Sequence, residues 1–338
     1  MLKYIFQRLL YMLAVLCILS LLVYLVYNLL PIDKAADMAM QEIAANKNLI
    51  YAERYLYWQR RYGLDGGLFV RYLRWIGLAP FYDGSFQGIL QGNLGASVAY
   101  GKPVVEVIAE PLKNTLFLNL LSTALSLGIT LPLGAFCARK RGSKRDTAVQ
   151  IGTIVGYSMP AFIIAILFIW LFAIQLDLFP VSGMSSVGKD YVGFRAFLDK
   201  LWHFSLPILV TTFVSLGGMT RYVRASMIEA LHLDCIRTAR AKGLPERLVV
   251  RTHAWRNALL PIVTLLVGWL TSIFSGSIMI ENIFGINGIG KVYFDALTVN
   301  DNEIALAMQM FYIFLALLGN LFADVAYGLV DPRVRVGR

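Results

Sequence analysis

The residues from Asp234 to Pro261, D-C-I-R-T-A-R-A-K-G-L-P-E-R-L-V-V-R-T-H-A-W-R-N-A-L-L-P, are a basic helix-turn between two long apolar segments, and their chemistry is recognition rather than catalysis. Asp234 is placed to cap a helix over Cys235 to Lys242, which Gly243 and the following Pro245 stop. Arg237, Arg240 and Lys242 crowd the C-terminal half, where the helix dipole favours cations. Ala239 and Ala241 leave room for a partner backbone to approach, so the segment is expected to be gripped by another protein. From the residues alone a second reading stays open, because basic amphipathic helices also lie on anionic lipid.

Other residues imitate catalytic or metal chemistry. G-I-N-G-I-G-K-V, with Gly285, Gly290 and Lys291, fits a phosphate-binding loop up to its last position, where Val292 replaces the Ser or Thr that magnesium requires. His203, His232 and His253 are scattered on opposite faces and read as interfacial or loop residues rather than metal ligands. Asp324 lies at the inner end of the last apolar span; its neighbours Asp331 and Arg333 suggest an ion pair or water contact at the interface rather than proton coupling.

The elements that hold these residues follow from charge segregation. With 58% hydrophobic and 15% charged residues, the chain is too apolar for a soluble domain. Six windows lack Asp, Glu, Lys and Arg over a length that crosses a bilayer: 9–32, 114–138, 147–176, 201–220, 257–280 and 304–323. Six spans put both termini on one side. The face carrying the termini, the run Arg139 to Arg145 and the loop 221–256 holds 18 Lys/Arg against five acids. The opposite face holds 13 against 15, with Asp324, at the inner end of the last span, counted with neither. The positive-inside rule makes the first face cytoplasmic. The net charge of +10 is then a topology signal, and nucleic acid is not an expected partner.

The predicted domains are an N-terminal segment and first span (1–32), an external segment (33–113), a five-helix core (114–330) whose cytoplasmic loop covers about 221–256, and a cytoplasmic tail (331–338). The first apolar window is longer than a signal-peptide core and is read as a span. In the external segment, helical pieces are expected over Leu49 to Tyr62, Leu68 to Ile76 and Val104 to Leu112. Tyr55, Tyr57, Trp58 and Trp75 form either an interfacial aromatic belt or a partner contact. Pro132 and Pro160 lie inside spans, and Gly288 and Gly290 in an external turn, so these four are candidate kinks or gates. Cys17, Cys137 and Cys235 lie where no disulfide is expected.

The strings R-T-A-R-A-K-G-L (Arg237 to Leu244) and H-A-W-R-N-A-L-L-P (His253 to Pro261) resemble the cytoplasmic coupling loop of bacterial ABC importer permeases of the peptide type, the oligopeptide, dipeptide and nickel group. Y-G-L-D at 62–65, G-N-L-G-A-S at 92–97, K-P-V at 102–104, S-M-P-A-F at 158–162 and D-V-A-Y-G-L-V-D-P-R at 324–333 extend the resemblance over nearly the whole chain. It departs from the wider importer pattern at Arg237, Thr238 and Ala239, which stand where that pattern has Glu-Ala-Ala. The distance from Gly243 to Leu260 and Pro261 is also longer than in the compact form.

The resemblance implies an all-α integral membrane protein with six transmembrane helices, the type I ABC importer permease fold and a large external loop after helix 1. It implies a non-catalytic, pore-forming subunit that moves peptides across the bacterial cytoplasmic membrane by alternating access. Asp234, Arg237, Thr238, Ala239, Arg240, Lys242 and Gly243 would form the ATPase-coupling helix, with His253, Arg256, Asn257 and Pro261 in the second part of the loop. Expected partners are a second homologous permease subunit, two cytoplasmic ABC ATPase subunits, an external solute-binding protein, the peptide substrate and membrane lipid. No cofactor is expected on this chain, ATP and magnesium being held by the ATPases. A nickel or other small-solute importer remains an alternative substrate class, and a self-sufficient channel or secondary transporter an alternative mechanism; neither mid-span charged clusters nor an inverted repeat is visible for the latter.

Overall fold

The computed structural model describes residues 2–31 and 33–330, and these residues are folded as helices joined by turns and loops, with no named strand among them. The tail 331–338, including Asp331 and Arg333, lies outside the described residues. The helices are α1 (Leu2–Asn28), α2 (Lys34–Ala45), α3 (Tyr51–Arg61), α4 (Leu68–Ile76), α5 (Val104–Arg139), α6 (Lys144–Ser158), α7 (Ala161–Phe168), α8 (Phe194–Leu231), α9 (Asp234–Ala241), α10 (Glu246–Leu248), α11 (Trp255–Ser272), α12 (Ile278–Ile283), α13 (Ile289–Thr298) and α14 (Asn302–Val330). Parts of α1, α5, α8 and α14 are each long and apolar enough to cross a membrane, and α6 with α7 and its continuation make a fifth, bent candidate. The window 257–280 falls largely on α11.

The bend is the main departure from expectation. Proline at 160 was expected to kink a span, yet the chain leaves helical geometry at Met159 (φ −85°, ψ 136°) and restarts with Pro160 as N-cap, so the path bends by 107° between α6 and α7 with its continuation. The pyrrolidine ring disfavours helical dihedrals in the residue before it, which converts a kink into a break. Beyond α7 the helix widens to π geometry over Ile169–Gln175. Pro132, in contrast, is accommodated inside an unbroken α5, as are Pro111 in the same helix and Pro207 in α8.

The chain divides into two compact units. The first comprises Met1–Arg8, Pro111–Val292 and Leu315–Arg338. It has two apolar cores, one centred on Leu118, Ile164, Phe204, Leu206 and Phe284, the other on Val223, Met227, Ile236, Val249, Ala254 and Ile262. Asp324 pairs with Arg8 at 3.1 Å, and the contact expected with Asp331 and Arg333 lies outside the described residues.

The second unit comprises Leu9–Glu110 and Tyr293–Phe314. Its α2 went unanticipated, although Asp33 caps it by accepting from the amides of Ala35 (3.0 Å) and Ala36 (3.1 Å). The predicted helix at Val104 is the first part of α5 and does not stop at Leu112. Tyr24, Tyr72 and Trp75 pack ring to ring, Lys34 bonds Glu303 at 2.7 Å, and Asp301 accepts from the hydroxyl of Ser97 and the amide of Ala99.

Candidate functional site

Helix α9 begins one residue earlier than expected. Leu233, in extended geometry (φ −65°, ψ 147°), holds the N-cap position without a side-chain bond, so Asp234 is the first helical residue rather than the cap. Its carboxylate still favours the positive end of the helix dipole and lies 3.5 Å from Arg237, both side chains being largely exposed. At the other end Gly243 adopts φ +74°, its amide bonds Arg240 O, and the amide of Leu244 bonds back to Ala239 O. These two bonds are the paired closure of a Schellman turn, which a left-handed residue alone completes without strain.

One face of α9 is built into the protein. Ile236 is fully buried and Ala239 nearly so, packed in the core that joins Val223, Met227 and Ala230 of α8 to Ala258 and Ile262 of α11. Burying an Ile side chain contributes about 1.5–3 kcal/mol. The sequence reading of Ala239 as room for a partner is therefore corrected: three residues after Ile236, it turns inward on the same helix face. Asp234, Arg237, Thr238, Arg240, Ala241, Lys242 and Gly243 remain exposed. Arg240 is committed within the chain, its guanidinium donating to both carboxylate oxygens of Glu246 (3.0 and 2.8 Å) and holding that carboxyl below the usual range. Arg237 and Lys242 are exposed, Arg237 meeting only Asp234 of its own helix at 3.5 Å among the described residues.

The second part of the predicted loop is fixed to the first. A π-helical turn over Val249–Ala254 leads into α11, where Asn257 donates to His253 O (2.8 Å) and approaches the Cys235 sulfur at 3.8 Å. Arg256 is exposed. Pro261 is inside α11, and its carbonyl accepts from the Tyr222 hydroxyl of α8 at 3.3 Å.

Besides the buried Asp301 of the second unit, two buried carboxylates of the first unit escaped the sequence reading. Asp146 follows the basic turn at 139–145, is 2% exposed, and takes a two-pronged bond from Arg224 of α8 (both 2.8 Å) and another from Gly142 N. Its signal was an acid inside an otherwise basic run. Glu281 of α12 is fully buried, accepting from Thr115 Oγ1 (2.9 Å), Lys291 N (2.8 Å) and Ser277 N (3.3 Å). Burial raises its pKa above the ordinary value, against the lowering pull of those donors. Gly288 and Gly290, read as a possible gate, wrap this carboxylate: a Cβ on Gly288 would lie 2.3 Å from the Glu281 carboxyl carbon, and one on Gly290 2.9 Å from Oε2. The isolated acid in E-N-I-F-G-I-N-G-I-G-K was the legible sign.

His203 is buried with Nδ1 2.9 Å from Asp199 O, and His232 is likewise tied to Ile228 O (2.7 Å), each an intrahelical contact. No group of three or more His, Cys, Asp and Glu able to hold a metal occurs among the described residues.

Residues 130–336 match the family model described as "Binding-protein-dependent transport system inner membrane component". The chain is 33% identical to the oligopeptide transport system permease protein AppB of Bacillus subtilis (strain 168), covering 99% of each. It is 32% identical to the dipeptide transport system permease protein DppB of Escherichia coli (strain K12), again over 99% of each. Among solved structures, an inward-facing MetNI methionine ABC transporter chain is similar with a TM-score of 0.50 at 17% identity, covering 66% of this chain and 97% of that one, a likeness of fold.

Proposed function

The chain belongs to the binding-protein-dependent transport system inner membrane components, transport subunits rather than catalysts, and from that premise we propose that it is the pore-forming half of an ATP-driven peptide importer of the bacterial inner membrane. The peptide assignment is supported by the names of the relatives, oligopeptide and dipeptide permeases that match it from end to end.

The observation that carries the mechanism is the two-faced α9, with Ile236 and Ala239 locked into the core shared by α8 and α11 and with Arg237, Thr238 and Lys242 turned outward. A helix held that way passes a push on its outer face to two membrane helices without being peeled from them. Nothing in this chain supplies such a push. Switching a two-state gate from 1:99 to 99:1 takes about 5.5 kcal/mol of differential interaction, which must enter through other subunits. The assembly this implies has two cytoplasmic ATPases docked on this helix and its counterpart, a second homologous permease subunit completing the pore, and an external binding protein delivering peptide. Both termini, the 139–146 turn and α9 lie on the cytoplasmic side in this reading, and the 33–103 segment outside.

The test is reconstitution in liposomes with the partner subunits and measurement of peptide uptake. Uptake should require ATP and the binding protein, and Thr238→Trp on the exposed face of α9 should abolish it while the chain stays inserted. Peptide transport by this chain alone, without ATP, would remove the proposal.

A further inference from the structure

The second unit contains a cavity of about 1110 Å³ bounded by the outer part of α1, by α3 and α4, by the 81–96 loop and by the start of α14. Its walls carry the aromatic residues that the sequence left as a belt or a partner contact. Trp58 stacks on Tyr62 at 5.3 Å between centroids, Trp75 packs on Tyr24 at 5.1 Å, and all four residues line the cavity. An arrangement of stacked rings and charge in a concave site is that of a ligand pocket.

The four acids and four bases of the wall balance in formal charge, but their hydrogen-bonding capacity is taken up unequally. Of the lining acids, Asp33 caps α2 and takes the Tyr55 hydroxyl (2.9 Å), Asp83 takes the amide and hydroxyl of Ser85, and Glu303 pairs with Lys34, leaving Glu53. Beside it stand Arg60, Arg61 and Arg71, none of which is in an ion pair among the described residues, whereas Arg54 and Arg74 nearby are tied to Glu42 and Asp65. The Arg60 guanidinium lies over the Tyr82 ring at 4.7 Å, and Arg71 Nε donates to Gly66 O at 3.0 Å, so both side chains are oriented with donors to spare. A planar guanidinium with free paired donors matches a carboxylate.

We propose that this cavity binds the C-terminal carboxylate of a peptide through Arg60, Arg61 and Arg71, with the terminal side chain against the aromatic wall around Trp58. The choice of a peptide as the carrier of that carboxylate rests on the transport reading above. The site would hold substrate on the external segment, separately from the pore.

The experiment titrates the full chain, assembled with its partner subunits in nanodiscs of zwitterionic lipid and without the binding protein, with Ala-Ala-Phe and with its C-terminal amide, read by calorimetry. The acid should bind and the amide at least about tenfold more weakly, the loss expected for one charge-assisted bond. Arg61→Gln and Arg71→Gln should each bring the acid toward the affinity of the amide, while Arg61→Lys, which keeps the charge, should lose less than Arg61→Gln. Equal binding of acid and amide, no binding of the acid at millimolar concentration, or full affinity in both Gln variants would overturn the site. N-acetyl-glutamate amide, carrying only a side-chain carboxylate, would overturn the terminal assignment by binding as well as Ala-Ala-Phe. Peptide uptake by the unmodified complex with its binding protein is scored in parallel. If uptake persists and the titration fails, only this site is wrong; if no peptide is taken up, the substrate reading itself is wrong.

Discussion

Replacing Gly243 separates the shape of α9 from its chemistry, because the position is exposed and carries no side chain that a partner could recognise. A Cβ there meets no atom within 4 Å, so Gly243→Ala costs only the left-handed dihedral, about 1–2 kcal/mol. Ile236 alone contributes about 1.5–3 kcal/mol toward holding the helix down. The Ala variant should therefore keep α9 seated and lose transport by a few-fold. Gly243→Pro is different in kind. It fixes φ near −65°, deletes the amide that bonds Arg240 O, and forces Lys242 away from its near-helical geometry (φ −75°, ψ 3°). Those losses together reach about 3 kcal/mol or more, enough to unwind the last turn. The assay is paired: membrane yield of the chain, and retention of the ATPase subunits on a tagged permease in detergent. Yield should hold for both variants and retention should fall at least tenfold for Pro. Wild-type retention and uptake in Gly243→Pro would refute the claim that the terminated helix is the docking element. Ala239→Trp cannot serve as a control, since that side chain would enter the core; Thr238→Trp and Ala241→Trp test the outer face.

Asp146→Asn breaks a pair whose carboxylate is almost wholly buried and should destabilise the protein by about 3 kcal/mol, measured as a lowered unfolding midpoint in detergent. Glu281→Ala strands the Thr115 hydroxyl and the Lys291 amide and should cost about 1–3 kcal/mol. Because the folded pKa of Glu281 is raised, its contribution is fully present below the ordinary glutamate value and declines as pH rises through the folded one. Thermal unfolding followed from pH 4 upward should therefore show a loss that Glu281→Gln removes, and a variant with the same slope would contradict this. Pro160→Ala restores an amide and relieves Met159, so spin labels at the far ends of α6 and α7 should move apart as the 107° bend straightens; unchanged distances would show that packing rather than proline sets the bend.

What was legible in the sequence was whatever is encoded locally or by exclusion. Charge-free windows located the apolar helices, because a mid-membrane charge costs about 2.5–3.5 kcal/mol, and Gly243 announced a helix end because few residues other than glycine tolerate that dihedral. Direction was not legible. The window 147–176 contains no sign that the chain turns by 107° at its middle, since apolarity is indifferent to path. Ala239 was misread for a related reason: a small residue is compatible with a close partner on either side, and only its spacing from Ile236 pointed inward. Glu281 and Asp146 required knowledge of residues 166 and 78 positions away, Thr115 and Arg224, which no local pattern contains.

Helix α8 has 38 residues, a rod of about 57 Å, nearly twice the hydrocarbon thickness of about 30 Å. Its end lies three residues before α9, so in the importer proposed above it would act as a crank arm. A tilt of only about 5° about its midpoint would swing that end by roughly 2.5 Å, half the pitch of an α-helix. Slight rocking at the bilayer centre thus becomes a displacement large enough to make or break side-chain contacts at the tip.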